Sequence, residues 1–199
     1  MASKHPRGLY VLFFTEMWER FSYYGMRAIF ILFMTKALFM SDAESSNIYG
    51  SFTGLVYLTP LLGGYISDKF WGNRRSIFVG GILMAIGQLL LFFSGSAVTD
   101  GAASASSIAL MWGGLTFLII GNGFFKPNIS TMVGQLYPKN DSRIDGAFTI
   151  FYMGINMGAF FSPLICGGLG DTGNIHDFKY GFLAAAIGMI ISTISFELL

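Results

Sequence analysis

The stretch Glu16-Met17-Trp18-Glu19-Arg20-Phe21-Ser22-Tyr23-Tyr24-Gly25-Met26-Arg27 places two acidic and two basic side chains inside an otherwise apolar run. A helix advances about 100° per residue, so these side chains share one face with two tyrosines. The members of this face are Glu16, Glu19, Arg20, Tyr23, Tyr24 and Arg27. Trp18 and Phe21 project to the opposite side, which we expect to face lipid. The pattern predicts a helix that is polar toward a bundle interior.

The composition is that of a membrane protein. Of the 199 residues, 53% are hydrophobic and only 12% are charged, too few charges to cover the surface of a soluble domain of this size. The formal net charge of +1 offers no basic field for nucleic acid. The single cysteine, Cys166, can form no internal disulfide.

Runs of the length needed to cross a bilayer recur between glycine, proline and charged residues, and they predict an all-α membrane protein with six transmembrane helices. The predicted spans are Leu9 to Met34, Asn47 to Phe70, Ser76 to Ser94, Ile108 to Met132, Gly146 to Gly168, and Tyr180 to the end. Between the third and fourth spans, a segment rich in serine, alanine and glycine is expected to be a flexible loop. Residues 1–199 therefore form a single six-helix bundle.

The distribution of basic residues predicts that the amino terminus is cytoplasmic, since basic loops are retained on that side. This orientation places seven basic residues inside: Lys4, Arg7, Lys69, Arg74, Arg75, Lys139 and Arg143. Only Lys36 and Lys179 then lie outside. The expected location is an integral multi-pass position in the cytoplasmic membrane, the inner membrane if the source is bacterial.

Three basic residues, Arg20, Arg27 and Lys126, fall inside predicted spans. An intramembrane charge is costly and therefore indicates function. Counting along the spans at about 1.5 Å per residue puts Glu19, Lys126, Asn156 and Tyr57 at one level, near the midplane where transporters bind substrate. Acidic and basic residues could instead only tie the helices together. However, three cations against two carboxylates leave a positive charge that favours an anion.

This surplus suggests a coupling mechanism. Protonating Glu16 or Glu19 would release Arg20 or Lys126 from its partner, and the released cation would bind a substrate carboxylate. Proton and substrate would then raise each other's affinity.

The stretch Glu16 to Arg27 resembles the E-x-x-E-R-F-x-Y-Y-G signature of the proton-coupled oligopeptide transporter family, within the major facilitator superfamily. Three further blocks are similar to family segments and occur in the expected order: Gly63-Gly-Tyr-Ile-Ser-Asp-Lys-Phe-Trp-Gly72, Gly121-Asn-Gly-Phe-Phe-Lys-Pro-Asn128, and Phe148-Thr-Ile-Phe-Tyr-Met-Gly-Ile-Asn-Met-Gly-Ala-Phe160. The resemblance implies the amino-terminal half of a major-facilitator-type transporter that couples protons to the import of di- and tripeptides.

The resemblance also implies roles for individual residues. Those implied in proton coupling are Glu16, Glu19, Arg20 and Lys126. Those implied in substrate binding are Arg20, Tyr24, Arg27, Tyr57, Lys126 and Asn156. Tyrosine and asparagine suit this task because they can hydrogen-bond the main chain of any peptide. As alternatives, Tyr57 could be an ordinary packing residue, and Asn156 could tie two helices together.

The segment from Gly64 to Arg75 resembles the superfamily's cytoplasmic loop between the second and third spans. Gly64 and Gly72 would permit tight packing, and Asp68 could pair with Arg74 or Arg75 across helix ends during the transport cycle. The alternative is that these charges only set the topology.

The resemblance further implies a second bundle of about six helices that is absent from this chain, and without it we expect no alternating access. The sixth span is still apolar at Leu199, so the sequence looks cut. Two alternatives remain: a nitrate or other small-anion transporter of the same family, and a non-transporting half-length membrane module. An enzyme is not expected, because no nucleophile, base and oxyanion group converge. No metal or cofactor is expected either.

Overall fold

The computed structural model describes residues 4–199, and within this range the regular secondary structure is helical. The six long helices are α1 (Arg7–Leu32), α2 (Asp42–Ile66), α3 (Asn73–Ser96), α4 (Ala105–Gln135), α5 (Ile144–Ser162) and α6 (Phe178–Glu197). Three of them continue into a wider π-helical turn: α1 into Phe33–Ala37, α2 into Ser67–Trp71 and α5 into Pro163–Gly167. A short helix, Gly168–Gly170, and a 3₁₀ turn, Ile175–Asp177, precede α6.

The helices follow the six predicted spans, with ends that differ by a few residues. The all-helical architecture is therefore confirmed. Four segments are long and apolar enough to cross a membrane: Asn73–Ser96, Ala105–Gln135, Ile144–Gly170 and Ile175–Glu197. α1 differs from these four because Glu16, Glu19 and Arg20 interrupt its apolar sequence.

Local sequence explains where several helices begin. The Ser41 hydroxyl accepts a hydrogen bond from the Glu44 amide at the start of α2 (3.2 Å), and the Ser104 hydroxyl does the same for the Ser107 amide at the start of α4 (3.3 Å). These caps satisfy amides that have no partner within the helix. Gly72, between α2 and α3, has a φ of 76°, a backbone conformation that glycine adopts without strain.

Glycines allow the helices to touch backbone to backbone. α1 packs against α5 and α6, α3 packs against α4 and α6, and α2 packs against α4. Gly158 of α5 lies against the Met17 carbonyl of α1, and Gly63 of α2 lies against the Gly123 carbonyl of α4. Small residues at such contacts permit the close approach on which helix association in a bilayer depends.

The side of α1 that carries Phe21 was expected to face lipid, and this expectation is wrong. Phe21 is buried, and its ring packs against Gly188 of α6. Trp18 is half-buried beside the same contact. The side of α1 that carries Phe21 is therefore packed against α6 inside the bundle.

Replacing Gly63 with alanine tests the contact between α2 and α4. A Cβ at this position would overlap the Gly123 carbonyl, so we expect Gly63→Ala to destabilise the protein by about 1–3 kcal/mol, the usual cost of overpacking. The measurement is thermal unfolding in detergent. Gly54→Ala is the matched control on the same helix, because a Cβ at position 54 would contact nothing within 4 Å. Equal unfolding temperatures for the two variants would contradict the packing.

Candidate functional site

Two fully buried carboxylates, those of Glu16 and Glu19, form the centre of the charged face of α1; the exposed fraction of each is 0%. Arg20 is 5% exposed and binds Glu19 with both arms of its guanidinium group. Its Nη2 donates to Glu19 Oε1 at 2.7 Å, and its Nε contacts Glu19 Oε2. The same Nε lies 3.4 Å from Glu16 Oε1. Arg20 therefore contacts both acidic residues of its own helix.

Lys126 brings a second cation to the same oxygen. Its Nζ donates to Glu16 Oε1 at 3.0 Å, across from α4 to α1. The backbones of α1 and α4 make few close contacts, and this ion pair joins the two helices through their side chains. The other oxygen, Glu16 Oε2, is buried and has no hydrogen-bond partner. One oxygen of Glu16 is thus shared by two cations, and the other is unused.

An open cavity of about 210 Å³ lies beside this cluster. Its lining residues are Arg20, Tyr23, Val56, Tyr57, Pro60, Asn122 and Lys126. The structure thus brings together Arg20, Tyr57 and Lys126, three of the residues predicted from sequence. Tyr57 is 70% exposed, so its hydroxyl is free to bind a molecule that enters the cavity.

Arg27 occupies a second position on α1, two helical turns beyond Arg20 and about 10 Å away along the axis. Its Nε and Nη2 donate to the Tyr49 hydroxyl of α2 at 2.8 and 2.6 Å. Its guanidinium carbon lies 5.4, 5.9 and 5.1 Å from the ring centroids of Tyr23, Tyr24 and Tyr49. Within residues 4–199, Arg27 forms no ion pair with a carboxylate. It is therefore the surplus cation expected from the charge count.

Tyr49 was not singled out from the sequence. Nothing in its local sequence distinguishes it from the other tyrosines, and only the spatial approach of α2 to α1 pairs it with Arg27. Tyr24, which was predicted to bind substrate, is half-buried between the two arginines, with Arg20 Cζ 5.8 Å from its ring centroid.

Asn156 lies on an exposed part of α5. The neighbouring glycines Gly154 and Gly158 face α1. Asn156 is not among the lining residues of the cavity beside Lys126. Arg20, Lys126 and Tyr57 thus share a cavity whose lining does not include Asn156.

The segment between α2 and α3 leaves its charged side chains exposed. In this conformation, the described part of the chain has no ion pair between Asp68 and either Arg74 or Arg75. Gly72 makes the turn with its positive φ, and Gly64 makes only ordinary contact with Pro127 of α4.

The loop between α4 and α5 holds an ion pair that was not predicted from the sequence. Arg143 Nη2 donates to Asp141 Oδ2 at 2.6 Å, and Arg143 Nη1 donates to the Lys4 carbonyl at 2.8 Å. The hydrogen bonds from Arg143 lower the pKa of Asp141 from 3.8 to about 2. The contribution of this ion pair to stability is therefore fully present above pH 3.8 and is lost as the pH falls through about 2. Between pH 5 and 8 the ion pair does not respond to pH.

Comparison with known proteins identifies the family. The POT family model matches residues 74–198. The chain is 41% identical over 199 residues to an uncharacterised transporter, YclF, of Bacillus subtilis, with 98% of this chain and 38% of the relative covered. It is 42% identical over 198 residues to a di-/tripeptide transporter of Lactococcus lactis, with 96% of this chain and 37% of the relative covered.

Solved structures agree with these sequence matches. A crystal structure of the peptide transporter POT in complex with sulfate superposes with a TM-score of 0.87 at 38% identity, covering 98% of this chain and 38% of that one. A POT family transporter in complex with 5-aminolevulinic acid superposes with a TM-score of 0.86 at 41% identity and the same coverage. The chain spans about 38% of the length of these relatives, and it belongs to the POT family, the oligopeptide transporters that its first-helix motif resembles.

Proposed function

We propose that this chain is the amino-terminal six-helix half of a proton-coupled symporter of di- and tripeptides. In this proposal all six long helices cross a cytoplasmic membrane with the amino terminus inside, and a carboxy-terminal bundle completes the substrate cavity. The names of its relatives support peptides as the substrate, since one is a di-/tripeptide transporter and one POT family structure contains a thioalcohol-conjugated peptide.

The observation that carries the proposal is the sharing of Glu16 Oε1 between Arg20 of α1 and Lys126 of α4. Both cations line the cavity, whereas both carboxylates are buried behind them. A substrate carboxylate that enters the cavity therefore meets the cations first. It competes with Glu16 and Glu19 for them.

Protonation decides this competition. With both glutamates ionised, their two negative charges balance Arg20 and Lys126. A proton on either glutamate removes one negative charge and leaves a cation without its partner in a low-dielectric site, where an uncompensated charge is costly. The substrate carboxylate restores the balance, so proton binding and substrate binding reinforce each other.

The remaining predicted residues complete the binding surface in this proposal. The exposed Tyr57 hydroxyl binds the peptide main chain near Lys126. Arg27 and Tyr24 form the wall toward the outer end of α1. Asn156, exposed on α5, contacts the peptide toward its amino end once the second bundle narrows the cavity.

The segment between α2 and α3 acts as a cytoplasmic gate in this proposal. Asp68 pairs with Arg74 or Arg75 in another conformation of the cycle than the one described here. Gly64 and Gly72 supply the close packing and the turn that such a rearrangement needs.

Replacing either glutamate with glutamine tests the coupling. In the full-length transporter, we expect Glu16→Gln and Glu19→Gln each to reduce uptake driven by a pH gradient by at least about tenfold, because the coupling energy between proton and substrate is lost. Exchange of labelled for unlabelled dipeptide should continue, because exchange requires no net proton movement. Both activities are measured in proteoliposomes.

Glu44→Gln provides the matched control, because Glu44 is an exposed glutamate in the first turn of α2. It should retain uptake and exchange. Full pH-driven uptake by both Glu16→Gln and Glu19→Gln would refute the coupling mechanism.

Tyr49→Phe tests the substrate role of Arg27. The substitution removes the oxygen that accepts two hydrogen bonds from Arg27 and retains the aromatic ring beneath the guanidinium. We expect KM for a neutral dipeptide to rise about three- to tenfold with little change in kcat, in line with the net contribution of about one ordinary hydrogen bond.

Tyr65→Phe is the control for this prediction, because it also removes a tyrosine hydroxyl of α2 that accepts from a cation, here Lys69 at 3.2 Å. Tyr65 lies near the cytoplasmic end of α2 in our orientation, and its hydroxyl binds Lys69, whereas Arg27 binds Tyr49. Equal KM values for Tyr49→Phe and the parent transporter would show that the orientation of Arg27 has no part in substrate binding.

Competition experiments test the identity of the substrate. Unlabelled di- and tripeptides should inhibit uptake of a labelled dipeptide, whereas nitrate at the same concentration should not. The site is expected to prefer peptides because the exposed Tyr57 hydroxyl offers main-chain hydrogen bonding in addition to the charge of Lys126. Inhibition by nitrate alone would assign the transporter to small anions instead.

A further inference from the structure

Beside Glu19 lies a second and much smaller space between four helices, which shares Tyr23 with the open cavity. Its lining residues are Glu19, Ser22, Tyr23, Met84, Gln88, Leu118 and Met189. The space has no room for a water molecule. The polar groups around it must therefore find their partners among the side chains and backbone that enclose it.

Gln88 of α3 is the notable polar residue of this space, being only 1% exposed at the middle of a membrane-length helix. Its Nε2 donates to the Ser22 carbonyl of α1 at 3.4 Å. This bond fixes the orientation of the amide, since the opposite orientation would place two acceptor oxygens together. Gln88 Oε1 is then a buried acceptor without a hydrogen-bond partner.

An acceptor buried without a partner is destabilising, so a conformation that supplies a donor is favoured. The other polar residues of the space do not supply one here, because the hydroxyl oxygens of Ser22 and Tyr23 are also without partners. While Glu19 is ionised, its carboxylate can only accept hydrogen bonds. When it binds a proton, it can also donate one.

We propose that Gln88 is a positioning residue for proton coupling, whose side-chain carbonyl accepts a hydrogen bond from Glu19 when Glu19 is protonated. This inference rests on the proposed function. In the ionised state Glu19 is bound by Arg20. On protonation, Glu19 releases Arg20 toward the cavity and donates its new proton to Gln88 Oε1, so the proton-loaded state gains a hydrogen bond that the ionised state lacks.

The charged groups that act on Glu19 are Arg20 and Glu16 of α1 and Lys126 of α4. Tyr23 is the other titratable residue that lines the space. α3 and α6 contribute Gln88, Met84 and Met189, none of which can carry a charge at physiological pH. Gln88 is therefore the residue of α3 that responds, in this proposal, to the protonation of Glu19.

The test is the pH dependence of dipeptide uptake by the full-length transporter. We expect Gln88→Met, which keeps the length of the side chain and removes both polar groups, to lower the pH of half-maximal uptake by about 0.4–1 unit, since one hydrogen bond to the protonated state is lost. Dipeptide exchange should stay close to that of the parent transporter, which shows that the variant is folded. An unchanged pH midpoint with normal exchange overturns the inference.

Two further variants keep the test decisive. Gln88→Glu should move the midpoint to higher pH, because a further carboxylate beside Glu19, in addition to Glu16, favours proton binding. No shift would show that position 88 does not face Glu19 and would overturn the inference. Ser22→Ala should leave the midpoint unchanged. If Ser22→Ala shifts it and Gln88→Met does not, the acceptor is Ser22 and the inference is also overturned.

Dipeptide uptake by the parent transporter distinguishes a failure of this inference from a failure of the proposed function. If the parent transporter accumulates no dipeptide under a pH gradient, both the proposed function and this inference fail. If it does accumulate dipeptide but the Gln88 variants keep the pH midpoint of the parent, the inference alone fails.

Discussion

The structure depends on one buried oxygen, Glu16 Oε1, which is contacted by Arg20 from its own helix and by Lys126 from α4. Two cations and two carboxylates are stable away from water only as a set, because each charge would be costly without the others. α1 can therefore carry a strongly polar face inside an apolar bundle. The same balance makes the site responsive, since the addition of a single proton leaves one member of the set without a partner.

Much of the charged site was predictable because it follows from helical periodicity. Glu16, Glu19 and Arg20 share a face by their spacing alone, and counting residues from the span ends placed Lys126 at their depth. Both arguments need only the geometry of one helix at a time. The contact between Lys126 and Glu16 follows from depth plus the attraction of opposite charges.

Features that depend on how two helices approach each other were not predictable in this way. The contact of Arg27 with Tyr49 is set by the position of α2 beside α1, which no single-helix pattern contains. Phe21 was assigned to lipid and instead packs on α6, because a lipid tail and a protein interior are equally apolar and select the same residues. The serine-rich loop is shorter than expected, because one flanking helix continues to Ser96 and the next begins at Ala105. Ser94 and Ser107, one in each helix, donate to each other's carbonyl oxygens at 2.7 Å.

The backbone contact between Gly63 and Gly123 has a consequence for the dimensions of the cavity. Gly63 lies on the same helix as Tyr57, and Gly123 lies one turn before Lys126. Since the two main chains touch, this contact sets how closely the backbones that carry Tyr57 and Lys126 approach each other. In the proposed transporter, substitutions of side chains in the cavity wall would therefore change the chemistry of the site while leaving that backbone spacing in place.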